Sequence, residues 1–127
     1  MASPFDFCRR LHRFIGFCAI ASVGLVSWPS DAIAQDRSLW LTHNSRTRLQ
    51  GYFLQNEDIF ALCDTDCQDI DLFLYNEQGT LVDSDDAVDA FPIVTAPYDG
   101  AFTLEITMPA CSHSAGCAAS ISSDFGF

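Results

Sequence analysis

Lysine is absent from all 127 residues, and six arginines face seventeen acidic residues, a formal net charge of −11. Arg9, Arg10 and Arg13 all lie before residue 14, so from residue 35 onward the balance is 3 − 15 = −12. Binding to nucleic acid depends on Lys and Arg neutralising phosphates. A surface this acidic therefore excludes nucleic acid as a partner and disfavours anionic membranes. Histidine is scarce as well: beyond residue 34 there are only His43 and His113. Ser112-His113-Ser114 is adjacency on a short loop, whereas a triad needs its nucleophile held against the base by packing. No segment beyond residue 34 carries a helical apolar period. The apolar stretch Phe14 to Trp28 falls short of the ~20 residues that a spanning helix needs.

That stretch has the layout of a secretory signal peptide. Three arginines precede it, and Pro29, Ser30 and the small-residue pattern Ala32-Ile33-Ala34 follow, with cleavage expected after Ala34. Arg9-Arg10 lacks the flanks of a twin-arginine signal, and Phe17 before Cys18 does not suit lipoprotein processing. The expected organisation is a signal peptide over 1–34, a loose N-terminal lead over 35–47 and one domain over 48–127. After cleavage, 127 − 34 = 93 residues remain. They suffice for one small core with no membrane span and no separate catalytic domain.

Four cysteines remain in that region: Cys63, Cys67, Cys111 and Cys117. Three pairings are open to them. Closeness along the chain favours Cys63–Cys67 and Cys111–Cys117, each in a turn-rich stretch. A four-cysteine zinc site is the rival, but the gap between Cys111 and Cys117 is too long for a zinc knuckle, and an oxidising compartment favours disulfides.

The periodicity is that of strands. In Ala101 to Met108, Phe102, Leu104, Ile106 and Met108 share one face and Thr103, Glu105 and Thr107 the other, which predicts a half-buried antiparallel strand. Ile70, Leu72 and Leu74 mark a second apolar face, with Phe73 and Tyr75 behind it, so this strand is expected to be central and covered on both sides at its far end. Further strands are expected over Arg48 to Leu54, Asp58 to Leu62, Thr80 to Val82, Phe91 to Thr95 and Ala118 to Ser122. The separators are Gln55-Asn56-Glu57, Asn76-Glu77-Gln78-Gly79, Ser84-Asp85-Asp86 and Pro97-Tyr98-Asp99-Gly100. Asn76 to Gly79 reads as a hairpin, with the glycine at positive φ. Short strands with regular turns predict an all-β antiparallel sandwich or barrel. The tail Asp124-Phe125-Gly126-Phe127 is expected to pack back on it.

The pattern Cys-Asp-x-Asp-Cys-x-Asp-Ile-Asp-Leu-x-Leu-Tyr at 63–75 is followed by Gly79, Val82, Asp85, Asp89, Pro92, Val94, Gly100-Ala101-Phe102 and the Cys111 to Cys117 hairpin. In order and spacing this resembles the bacterial pre-peptidase C-terminal (PPC) domain, in its cysteine-containing variants, over roughly residues 48–122. The resemblance implies a jelly-roll-like β-sandwich of about eight strands. It also implies an accessory role in export, folding or localisation, with calcium or matrix polymers as ligands of some members. Phe102 stands where the family usually has Tyr, and no peptidase domain precedes the module in this sequence.

Chemical promise is concentrated in acidic positions. Asp64, Asp66, Asp69 and Asp71 lie at one loop-to-strand junction, and Asp83, Asp85, Asp86 and Asp89 at another. Oxygen ligands gathered in turns suit calcium. The spacing is not that of an EF-hand, since the run from Asp64 has no glycine at its sixth position and no glutamate at its twelfth. Asp64, Asp66, Asp85 and Asp86 lead as candidate ligands if the two loops meet. The plainer reading makes all eight solvated turn residues. The expected function is that of a secreted or periplasmic non-catalytic accessory or binding module, stabilised by calcium, with an extracellular or envelope partner. The alternatives are a metal-free structural domain and, more distantly, a small hydrolase.

Overall fold

The computed structural model describes Gly24 and residues 36–127; apart from Gly24, the segment 1–34 expected to be a signal peptide lies outside these residues. Among them are eight strands: β1 (Arg37–Leu41), β2 (Ser45–Phe53), β3 (Asp58–Cys63), β4 (Cys67–Asn76), β5 (Leu81–Asp85), β6 (Ile93–Thr95), β7 (Gly100–Cys111) and β8 (Cys117–Ser123). They form two antiparallel sheets, ordered β1-β8-β3-β6 and β2-β7-β4-β5. The pairs β1 with β8, β2 with β7, β3 with β6 and β4 with β5 nest inside one another. Such a hairpin rolled on itself is the jelly-roll arrangement, and the fold is the all-β sandwich expected.

Period-two alternation supplies the core. Phe53, Ile59, Ala61, Ile70, Leu72, Leu74, Val94, Leu104, Ile106, Met108 and Ile121 are all buried between the sheets. β4 lies inside its sheet, between β7 and β5, with Phe73 and Tyr75 half-buried behind the core face. The Arg48 guanidinium stands over the Tyr75 ring at 5.6 Å. The hairpin after β4 forms as expected. Asn76 Oδ1 accepts from the amides of Gln78 and Thr80, and Gly79 takes φ 77°.

Two segments differ from expectation. Of the lead expected over 35–47, the described part from residue 36 is not loose: β1 occupies Arg37–Leu41 and β2 begins at Ser45. β1 is an edge strand of five residues with inward positions only at Leu39 and Leu41, too short to print a period, and it is held by its register with β8. Ser84 and Asp85, expected in a turn, belong to β5. Asp83 and Asp85 sit opposite Leu74 and Leu72, where an apolar residue would ordinarily be. Their carboxylates instead accept hydrogen bonds from the amides of Thr95 (2.7 Å) and Ile93 (2.9 Å) on β6. Acidic side chains thus join the two sheets along that edge.

The disulfides are Cys63–Cys67 and Cys111–Cys117. Each links a strand of one sheet to a strand of the other, β3 to β4 and β7 to β8. The two loops touch: the Ser112 amide and hydroxyl both donate to the Asp66 carbonyl, at 2.8 and 3.0 Å. Two disulfides place folding outside a reducing compartment. No helix among the described residues is long and apolar enough to cross a membrane.

Candidate functional site

Two regions carry functional geometry: the acidic half of β4 with its flanking loops, and a groove on the outer face of the second sheet. In the first, most of the candidate aspartates are engaged by backbone. Asp64 Oδ1 accepts from the Asp66 amide at 3.1 Å and Oδ2 from the Ala118 amide at 2.8 Å, which fixes the first cystine loop to β8. Asp83 bonds the Ser84 and Thr95 amides, Asp85 those of Ala87 and Ile93, and Asp89 that of Phe91. These are Asx-turn and strand-linking roles. Asp86 is exposed and Asp66 half-buried. Among the described residues no group of three or more His, Cys, Asp or Glu side chains converges as a metal centre. The eight aspartates therefore do not form one site.

Asp69 and Asp71 differ from the rest. They keep only 9% and 8% of their full exposure, and Oδ1 of each is buried without a hydrogen-bond partner. Asp71 Oδ2 accepts from the Thr107 hydroxyl at 3.2 Å. Register shifts in the β4–β7 ladder fall between Cys67 and Asp69 and between Asp69 and Asp71, so the strand is irregular where this pair projects. Burial, then the neighbouring Asp69 charge, with a smaller push from Asp86, raise the Asp71 carboxyl to about 6, against the lowering effect of the Thr107 hydrogen bond.

The groove lies on the outer face of β2 and β7 beside the β4–β5 hairpin. It is a cavity of about 550 Å³ lined by Gln50, Gly51, Glu77, Ala101, Phe102 and Thr103. A smaller recess of about 270 Å³, lined by Gln78, Tyr98, Asp99 and Gly100, adjoins it and shares Glu77 and Ala101. The floor is low because β7 presents small Ala101 and Thr103 outward, between Tyr52 and Gln50 of β2 and the hairpin. Tyr52 is 66% exposed beside Ala101. Nothing in the local sequence marks this groove. It arises from register, which sets small residues of one strand between large ones of its neighbours.

The histidines make structural contacts. His43 Nδ1 accepts from the Cys111 amide at 3.2 Å and His113 Nδ1 from the Ala115 amide at 3.1 Å. The Ser112 hydroxyl is turned to Asp66 and receives Gln68 Nε2 at 3.1 Å, so it is not presented to His113. Sequence reasoning missed Glu57, which it assigned to a turn. Glu57 is 2% exposed and accepts from the Leu54 amide and the Ser123 hydroxyl at 2.7 and 2.6 Å.

No family model matches the chain. No curated protein matches it in sequence. Among solved structures, the chain is similar to PliG of Aeromonas hydrophila, a periplasmic lysozyme inhibitor of g-type lysozyme, with TM-score 0.46 and 8% identity over 71% of this chain and 85% of that one. A likeness at this level transfers neither partner nor activity.

Proposed function

We propose that this chain is an exported, non-catalytic binding module of the PPC type, stabilised by calcium, that engages a partner outside the cytoplasm through the groove of the second sheet. The observation that carries the reading is the groove itself: about 550 Å³ open on one face of a sheet whose other face is closed by a continuous apolar core. That volume lies in the usual range for ligand sites. Its lining offers amide, hydroxyl and carboxylate groups on Gln50, Thr103 and Glu77, with the Tyr52 ring at the rim. Such a surface binds by shape and hydrogen bonding, and calcium has a stabilising role and not a reactive one. Export is supported by the two disulfides, and on this reading a signal peptide is removed after Ala34, which delivers the protein to the periplasm or beyond.

The test is comparative capture from the protein's own compartment. Wild type is set beside Thr103→Arg, which fills the groove from its floor, and Leu62→Arg, which adds the same charge to the other sheet's outer face. Partners retained by wild type and Leu62→Arg but lost by Thr103→Arg support the groove. Capture that is indifferent to Thr103→Arg would favour a purely structural domain.

A further inference from the structure

We propose that Asp69 and Asp71, with the Thr107 hydroxyl beside them, form a binding site for a hard divalent cation, calcium by its ligand chemistry. The inference rests on the reading above of an exported module and assigns its calcium to named residues. The two carboxylates stand two positions apart on β4, each more than nine-tenths buried, and each leaves Oδ1 buried without a partner. An orphaned buried oxygen is costly when neutral and more so when anionic, and two on neighbouring side chains repel.

The chain has little positive charge to offset that repulsion. It contains no lysine. Arg48 is committed to Glu105 at 2.7 Å, and Arg37 lies over the Phe127 ring at 5.2 Å. Arg46 stands opposite Thr107 in the β2–β7 register, in the same row as Asp71, and makes no ion pair with it. Asp64, Asp83 and Asp85, by contrast, have both carboxylate oxygens bonded to amides. The unpartnered oxygens therefore single out Asp69 and Asp71 from the other acidic turns.

Carboxylate, hydroxyl and water oxygens suit calcium, which accepts six to eight of them in flexible geometry. Magnesium demands a stricter octahedron. Among the described residues no His or Cys groups with the two carboxylates as a third ligand, and Cys63, Cys67, Cys111 and Cys117 are in disulfides, so the imidazole and thiolate that softer metals prefer are not on offer. Two carboxylates correspond to the weak end of calcium sites, with a dissociation constant on the order of 10⁻⁴ to 10⁻³ M, as in extracellular modules.

The experiment is thermal unfolding of the purified protein near neutral pH, in chelator and in about 10 mM calcium chloride. The expected result is a midpoint raised by about 5 °C or more in calcium. The rise is abolished by Asp71→Asn and by Asp69→Asn and kept by Asp66→Asn. In chelator Asp71→Asn should melt above wild type, because it removes repulsion, which also establishes that the variant folds. A calcium shift that survives Asp71→Asn overturns the assignment. So does a wild type that calcium does not shift, in which case the pair holds a proton only. Loss of partner capture in Thr103→Arg is read in chelator, so failure of the cation site and failure of the groove are separate results.

Discussion

The Phe127 ring occupies the space that a side chain at residue 51 would need, and Gly51 is what leaves that space open. The ring also stacks on Phe53 with centroids 5.2 Å apart and lies beneath the Arg37 guanidinium. The closing segment therefore packs between β1 and β2, where the two sheets would otherwise gape.

Gly51→Ala should force the ring out and destabilise the fold by about 1–3 kcal/mol, as overpacking does. Phe127→Ala should cost about 2 kcal/mol, less than the ~3–5 of a fully buried Phe, because the ring is half-exposed. The double variant should cost less than the sum of the two single variants, since the clash with Phe127 is gone, but more than Phe127→Ala alone, because a Cβ at residue 51 still meets the buried Phe53 ring at 2.9 Å. Urea denaturation of the three proteins measures this.

Stability should fall as pH rises through the range set by Asp71. Its carboxyl is raised from 3.8 to about 6 in the folded protein, so the folded state holds this proton more tightly than the unfolded chain does. That contribution is fully present below pH 3.8 and is lost as pH climbs through about 6. The amount is up to about 3 kcal/mol. Asp71→Asn in chelator should flatten this part of the curve. An unfolding series in which wild type and variant run parallel between these pH values would count against it.

Glu57→Gln should destabilise by about 1–3 kcal/mol. Both oxygens of the native carboxylate accept, from the Leu54 amide and the Ser123 hydroxyl, whereas the amide of Gln can accept with only one. Glu57→Asp, which keeps the charge but shortens the reach, should not restore stability. Chemical denaturation of both variants distinguishes lost charge from lost geometry.

Replacing Cys63 and Cys67 together by serine should cost about 2 kcal/mol, and the Cys111 and Cys117 pair a similar amount, from the chain entropy of short loops. The two effects should not add. The loops are bonded to each other through Ser112 and Asp66, so removing one bridge loosens the seat of the other. Melting of the two double variants and the quadruple variant closes that cycle.

The sandwich was legible wherever side chains obey period two. β4 and β7 announce themselves by alternation, and the hairpin between β4 and β5 by Gly79. β1 was not legible because five residues on an edge carry no period, and β5 was legible only as far as Val82 because its inward positions beyond that are acidic. The acidic site was half legible. The sequence displays eight aspartates of similar appearance, and what separates them is whether an amide from elsewhere comes to meet each one. Asp64 is met by Ala118, 54 residues away, and Asp85 by Ile93, while Oδ1 of Asp69 and of Asp71 is met by nothing in the fold. That difference lies in strand register, which a one-dimensional reading does not contain. The groove was illegible for the same reason.

Both disulfides join sheet to sheet, and both do so at the end where β3 turns into β4 and β7 into β8. The groove and Phe127 lie toward the opposite end, beside the start of β7 and the end of β2, where the layers are held by packing and hydrogen bonds alone. Mobility should therefore be graded along the strands: amide exchange slowest beside the cystines and fastest around Gly51 and Ala101. Covalent stapling at one end leaves the other compliant, and a ligand entering the groove meets the part of the molecule most able to adjust to it.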